Sequence, residues 1–198
     1  TLGGIMNKDY AEALLMLLFN NHVPLARWGN GQAKTFKHFI TELDTGDCEF
    51  QLRDNKIVRK IRVLLITVYY KDPETEKLFH LIETIQVFKI DGRKRIRNSG
   101  YSVAEKLKSG KIADNTSVTN ALKEELGVSG EVLRLKKTDK YVTQGNSNSY
   151  PGLETVSENF CFTVYLTPEQ FKPDGYIEEQ EDKTTYFKWV EIFKERML

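Results

Sequence analysis

Two long runs, KIVRKIRVLLITVYYKD (56–72) and KLFHLIETIQVFKIDGRKRIRN (77–98), constrain the fold more than any other part of this sequence. Both are dense in Val, Ile, Phe and Tyr, whose branched or aromatic side chains suit a pleated surface. Turn signals at Asp72-Pro73 and Asp91-Gly92 interrupt them. Connections this short leave no room for a crossover helix, so the strands are expected to be antiparallel neighbours. With CEFQLRD (48–54), the region predicts four or five strands.

Further along the chain, a polar loop, SGYSVAEKLKSGKIADN (99–115), precedes one helix at about 116–126. Strands are predicted again over 131–143 and 155–166, divided by the loop QGNSNSYPGL (144–153). An acidic loop, PDGYIEEQEDKT (173–184), leads to a last strand, TYFKWVEI (185–192). Strands, one helix, then strands again indicate an α+β domain.

The front of the chain has a different period. DYAEALLMLLFN (9–20) places Leu14, Leu15, Leu17 and Leu18 on a broad helical face behind Asp9 as N-cap. AKTFKHFITELDTG (33–46) returns to helical spacing through Phe36, Phe39, Ile40 and Leu43 and stops at Gly46. Residues 1–46 are therefore expected to form an N-terminal helical extension, a candidate homodimer contact, ahead of a main domain over 47–198. TLGGIM (1–6) is read as a non-native start ahead of a native Met6 and is set aside from the fold reasoning.

A net charge of +1 gives no global pull toward nucleic acid or a membrane surface. The longest apolar stretch, AEALLMLLF (11–19), falls short of the roughly 18 residues a bilayer span needs. It also lacks the basic start and cleavage site of a signal peptide, so a cytoplasmic location and no membrane partner are expected. Cys48 and Cys161 sit in strand-like runs and are expected to be buried free thiols.

The helix at 116–126 carries the chemistry. With Val118 as origin, Ala121 falls at about 300°, Leu122 at about 40°, Glu125 at about 340° and Leu126 at about 80°. Glu125 thus lies inside the apolar stripe, while Glu124, at about 240°, sits on its border. An inward carboxylate must reach water or a cation, join a buried ion pair, or share a divalent metal with other carboxylates.

The polar glycine-bearing loop and the helix end NALKEELGV (120–128) resemble the box motif of the Nudix superfamily. Leu122 takes its apolar position, Glu124 and Glu125 its paired glutamates, and Gly127 and Val128 its closing pair. KTTYFKWVE (183–191) is similar to the family's closing strand. The resemblance implies an α/β/α sandwich with a mixed, largely antiparallel sheet. It also implies Mg²⁺ or Mn²⁺ held through Glu124 and Glu125, and water attack on the pyrophosphate of a nucleotide-derived substrate. The chain departs from the motif at Asn120, where it has arginine, at Ala121, where it has the first helix glutamate, and at Lys111 in the loop. Asn120 cannot make the cationic hydrogen bonds of an arginine.

Replacement groups are expected outside the helix. Glu105 lies in the preceding loop, Glu158 near a strand start, and Glu178, Glu179, Glu181 and Asp182 in the late loop. The resemblance makes Glu158 a candidate metal ligand and Glu179 a candidate base. Arg93, Arg95 and Arg97 alternate onto one strand face, so Arg95 is a candidate phosphate contact. Lys111 and Tyr150 are further substrate candidates, the latter by stacking on a base. Three readings stand: a divergent pyrophosphohydrolase, a Nudix-type module that binds a nucleotide, RNA or a protein partner without turnover, and an unrelated α+β domain.

Overall fold

The computed structural model describes residues 8–54, 56–97 and 100–193. The segment TLGGIM (1–6) lies outside the described residues. The described chain is α+β. Its elements are α1 (Lys8–Asn20), α2 (Phe36–Asp44), β1 (Glu49–Arg53), β2 (Lys56–Lys71), β3 (Leu78–Phe88), β4 (Lys94–Ile96) and β5 (Val103–Lys106). There follow α3 (Asn115–Leu126), β6 (Arg134–Asn146), β7 (Glu154–Tyr165), β8 (Tyr176–Glu179) and β9 (Lys183–Ile192). No helix among the described residues is long and apolar enough to cross a membrane.

The described residues cluster into two compact units: those within 8–63, 106–111 and 140–159 form the first, and those within 64–105, 112–139 and 160–193 the second. β2, β5, β6 and β7 contribute residues to each. The two front helices therefore share a unit with strand segments from much later in the chain.

In the first unit, α2 is started by a reciprocal cap. The Thr35 hydroxyl accepts from the His38 N–H at 3.3 Å, and His38 Nδ1 accepts from the Thr35 N–H at 3.1 Å. Two orphan donors of the first turn are thereby satisfied. The buried faces of the helices, Leu14, Leu18 and Phe39, close on Trp28, Cys48, Ile57, Tyr150 and Leu153. Three rings form the centre, with Trp28–Tyr150 centroids at 4.9 Å, Phe39–Tyr150 at 5.1 Å and Trp28–Phe39 at 5.6 Å. Each such side chain contributes about 2–3 kcal/mol by leaving water. Gly152, at φ +79°, lets the backbone pass Pro24: a Cβ there would lie 2.1 Å from the proline Cδ. α1 leaves Met16 and Phe19 exposed.

In the second unit, the hydrogen-bonded strand order is β7–β2–β3–β9–β8, with β4 also on β3 and β5 also on β2. β2–β3, β3–β4, β3–β9 and β8–β9 are antiparallel. β7 and β2 run in the same direction, since Leu166 N–H donates to the Tyr69 carbonyl while the earlier Glu158 meets the earlier Lys60. The sheet is thus mixed and largely antiparallel, as expected. Ser102 fixes the entry to β5: its hydroxyl accepts from Val68 N–H at 2.8 Å and donates to the Leu81 carbonyl at 2.5 Å.

The last strand is anchored by Trp189, whose Nε1 donates to the Lys172 carbonyl at 2.8 Å and whose ring lies 5.2 Å from Phe171. The acidic segment expected as a loop contains β8. Its pairing with β9 over Tyr176–Glu179 imposes strand alternation on the two glutamates.

Candidate functional site

α3 begins at Asp114, whose carboxylate accepts from the Ser117 N–H at 2.9 Å. It ends at Gly127 in the left-handed conformation, φ +65°, with the Val128 N–H turning back to the Leu122 carbonyl. Between these caps, Val118, Ala121, Leu122 and Leu126 are buried. Glu125 shares their side of the helix, as its angular position requires, and is partly buried.

Glu125 lines a polar pocket of about 250 Å³ in the second unit. Glu105 near the end of β5 and Glu178 on β8 line the same pocket, and both carboxyls act on that of Glu125. Burial raises the Glu125 pKa, and the negative charges of Glu178 and Glu105 raise it further, up to about 9. A proton held between like charges is the ordinary outcome when carboxylates are pressed together without a cation.

Arg95, Arg97 and Lys183 line the same pocket, as do the buried Gln86 and Thr185. Arg97 Nε approaches Glu83 at 3.2 Å, a charge contact without hydrogen-bond geometry. Glu83 Oε1 and Thr185 Oγ1 are buried without a hydrogen-bond partner among the described residues. The pocket therefore offers carboxylates to a cation, guanidinium groups to an anion, and buried polar atoms that a ligand or water would satisfy.

A divalent cation fits this donor set by chemistry. Oxygen-only carboxylate ligands suit Mg²⁺ or Mn²⁺, and a cation would relieve the repulsion that holds the proton. The arrangement is not preformed: among the described residues no three His, Cys, Asp or Glu side chains already stand in a metal-holding group.

The other expected site residues lie elsewhere. Glu124 is exposed and outside the pocket. Glu179 points away from it, pairing with Lys89 at 3.0 Å and accepting from Thr184 at 3.0 Å, which lowers its pKa. Its neighbour Glu178 takes the inward place. Glu158 belongs to the first unit, within 3.5–4.0 Å of Arg62, Lys60 and Lys140, so cations already surround it. Lys111, also in the first unit, is exposed, and its backbone carbonyl accepts from Arg62 at 2.6 Å. Tyr150 is fully buried against Trp28 and Phe39 and has no open face for a base. Arg95 does line the pocket, whereas Arg93 is exposed, with Phe88 under its guanidinium at 4.8 Å.

Compared with known proteins, the chain matches no protein-family model. No characterised protein matches it in sequence. Among solved structures it is similar to a Caenorhabditis elegans Ap4A hydrolase at 12% identity and a TM-score of 0.35, over 66% of this chain and 80% of that one. A Nudix hydrolase described as putative, from Listeria monocytogenes, is similar at 14% identity and a TM-score of 0.38, over 65% and 75%. The Nudix domain of Shewanella oneidensis NrtR, in complex with ADP ribose, is similar at 12% and 0.34, over 66% and 71%. Two of these three solved structures are described as Nudix proteins, and likeness at these levels assigns neither family nor substrate.

Proposed function

We propose that the pocket beside α3 is the active centre of a divergent Nudix-type hydrolase acting on a phosphate-containing, nucleotide-derived substrate. The observation that carries this reading is that the Glu125 carboxyl shares one pocket with Glu105 and Glu178 and with Arg95, Arg97 and Lys183. Glu125, Glu105 and Glu178 would hold Mg²⁺ or Mn²⁺. Such an ion supplies charge neutralisation at a phosphoryl oxygen and lowers the pKa of a bound water.

The chain's own residues do the rest. Arg95 and Lys183 bind and orient phosphate oxygens, Arg95 as a planar donor fork and Lys183 as a point charge. Arg97 remains tied to Glu83 and supports the basic wall. Glu105 and Glu178 would help hold a proton at Glu125 in the absence of a cation, and a bound cation would serve in that proton's stead.

A second reading, a module that binds the ligand without turnover, is favoured by Ala121 and Asn120 at motif positions and by the exposure of Glu124. Phosphate release from a panel of nucleoside diphosphate derivatives with Mn²⁺ separates the two. Turnover lost in Glu125→Gln supports the hydrolase. Saturable ADP-ribose binding without turnover, weakened in Arg95→Ala, supports the module. Neither turnover nor binding removes both.

A further inference from the structure

We propose that the first unit contains a second ligand site, for a small phosphate monoester, built on the buried pair of Glu42 and Arg59. Arg59 donates to Glu42 at 2.6 Å, and the two residues are 4% and 6% exposed. Lys34 Nζ reaches the same carboxylate at 2.5 Å and Lys106 Nζ at 3.1 Å. One acid is thus met by three bases, leaving two positive charges in excess beside a pocket of about 390 Å³ that Lys34, Arg59 and Lys106 all line.

The donors exceed what the acid can absorb. Two lysines and an arginine carry about eleven N–H donors, against roughly four acceptor positions on a carboxylate. Arg59 Nε has no hydrogen-bond partner among the described residues, and neither does the buried Thr155 Oγ1. A single arginine would neutralise Glu42. Concentrating two more cations here opposes folding unless an anion shares them. Glu42 and the Tyr150 ring, 4.9 Å from the guanidinium carbon, hold Arg59 in place. The pocket is therefore ordered before a ligand arrives, which lowers the entropy lost on binding.

The lining selects the ligand. Thr143, Ser149, Thr155 and Ser157 supply hydroxyls, and Ile61 is the one large apolar side chain among the described lining residues. Among the described residues no aromatic ring lines it, so a nucleobase finds none there to stack on. A phosphate dianion matches the charge excess, and the hydroxyl rim suits a polyol attached to it. This chemistry differs from that of the carboxylate pocket in the second unit.

The test is amide NMR of the full chain at pH 7.5 and constant ionic strength, titrated with inorganic phosphate and separately with ribose 5-phosphate. The expected result is saturable shifts at 143–149 and 155–157 with both probes. In Lys34→Ala/Lys106→Ala, affinity should fall by about tenfold or more, since charge-assisted hydrogen bonds are lost. That variant keeps Glu42 paired with Arg59, and Lys106→Gln alone, expected to show a smaller loss, provides a milder second test. Equal shifts with chloride, no shifts, or shifts confined to the surroundings of Arg95 and Lys183 overturn the proposal. So does unchanged affinity in both variants. Binding of phosphate but not ribose 5-phosphate overturns the monoester assignment.

Discussion

Glu125 on α3 and Glu178 on β8 meet carboxyl to carboxyl inside one pocket, with Glu105 of β5 against the same group. Three separate elements converge to create this contact, and none of the side chains is placed there by local sequence alone. The arrangement stores repulsion that a proton or a cation can relieve. Its consequences for pH, metal and stability are direct.

The first concerns pH. Because the Glu125 pKa is raised in the folded state, the stability linked to it is complete below the unfolded value and is lost as pH rises toward about 9. The charged groups facing it are Glu83, Glu105, Glu178, Arg95, Arg97 and Lys183. Glu125→Gln mimics the protonated form, so the variant and parent should melt together near pH 5. At pH 9 the variant should be more stable by roughly 1–3 kcal/mol. Melting curves across that range check this; a variant less stable at every pH contradicts it.

The opposite sign holds at Glu42. Burial alone would raise its pKa, but hydrogen bonds from Lys34 and Arg59 and the charge of Lys106 hold it down at about 2. Its contribution is present above the ordinary carboxylate range and lost as pH falls toward 2. Arg59→Met takes one of three bases from a buried carboxylate that keeps Lys34 and Lys106, and should cost roughly 1.5–3 kcal/mol. Glu42→Met/Arg59→Met should recover much of that loss. Urea unfolding of the three proteins measures the difference, and additive losses would contradict the coupling.

Much of this was legible in the sequence, and the limits have physical reasons. A fixed angular step per residue placed Glu125 inward correctly and set Glu124 on a border, where the structure leaves it exposed. The strands of 56–97 and the closing strand followed from their β-rich composition. The choice between Glu178 and Glu179 was hidden because β8 lies in a segment dense in acids that reads as a loop. Without a strand, alternation gives no parity, and one residue's shift exchanges inside for outside. Tyr150 looked like a loop ring free to stack. Its burial depends on Trp28 and Phe39, far away in sequence, which no local pattern reveals. The Glu42–Arg59 pair is hidden for the same reason: the pattern around Glu42 is that of an apolar helix face and the pattern around Arg59 that of a β-rich strand, and neither points to the other.

Backbone geometry gives a third prediction. Gly152→Ala adds a Cβ 2.1 Å from Pro24 Cδ at a φ of +79°, so both sterics and conformation oppose it. A loss of roughly 2–4 kcal/mol is expected. Gly127→Ala has the left-handed strain but open space around it, and should cost only about 1 kcal/mol. Equal losses at the two sites would show that the Pro24 contact is not what Gly152 accommodates.

Tyr150 provides a fourth. Tyr150→Ala should destabilise by roughly 3–5 kcal/mol, as expected for a large buried ring. Nucleotide binding by the folded fraction should be unchanged, because the ring belongs to the first unit's core. Thermal melts and ADP-ribose titration of the same sample separate these effects. A stable variant with weakened binding would restore Tyr150 as a ligand contact.

The most direct measurement is calorimetric titration of the full chain with Mn²⁺ at pH 7.5, in two buffers of different ionisation heat. The account predicts saturable binding with proton release, because metal must displace the proton that Glu105 and Glu178 help hold on Glu125. Glu125→Gln and Glu178→Gln should abolish it, while Glu124→Gln and Glu179→Gln should leave it intact. Binding without proton release, or loss in the Glu124 and Glu179 variants but not in those of Glu125 and Glu178, would contradict the account.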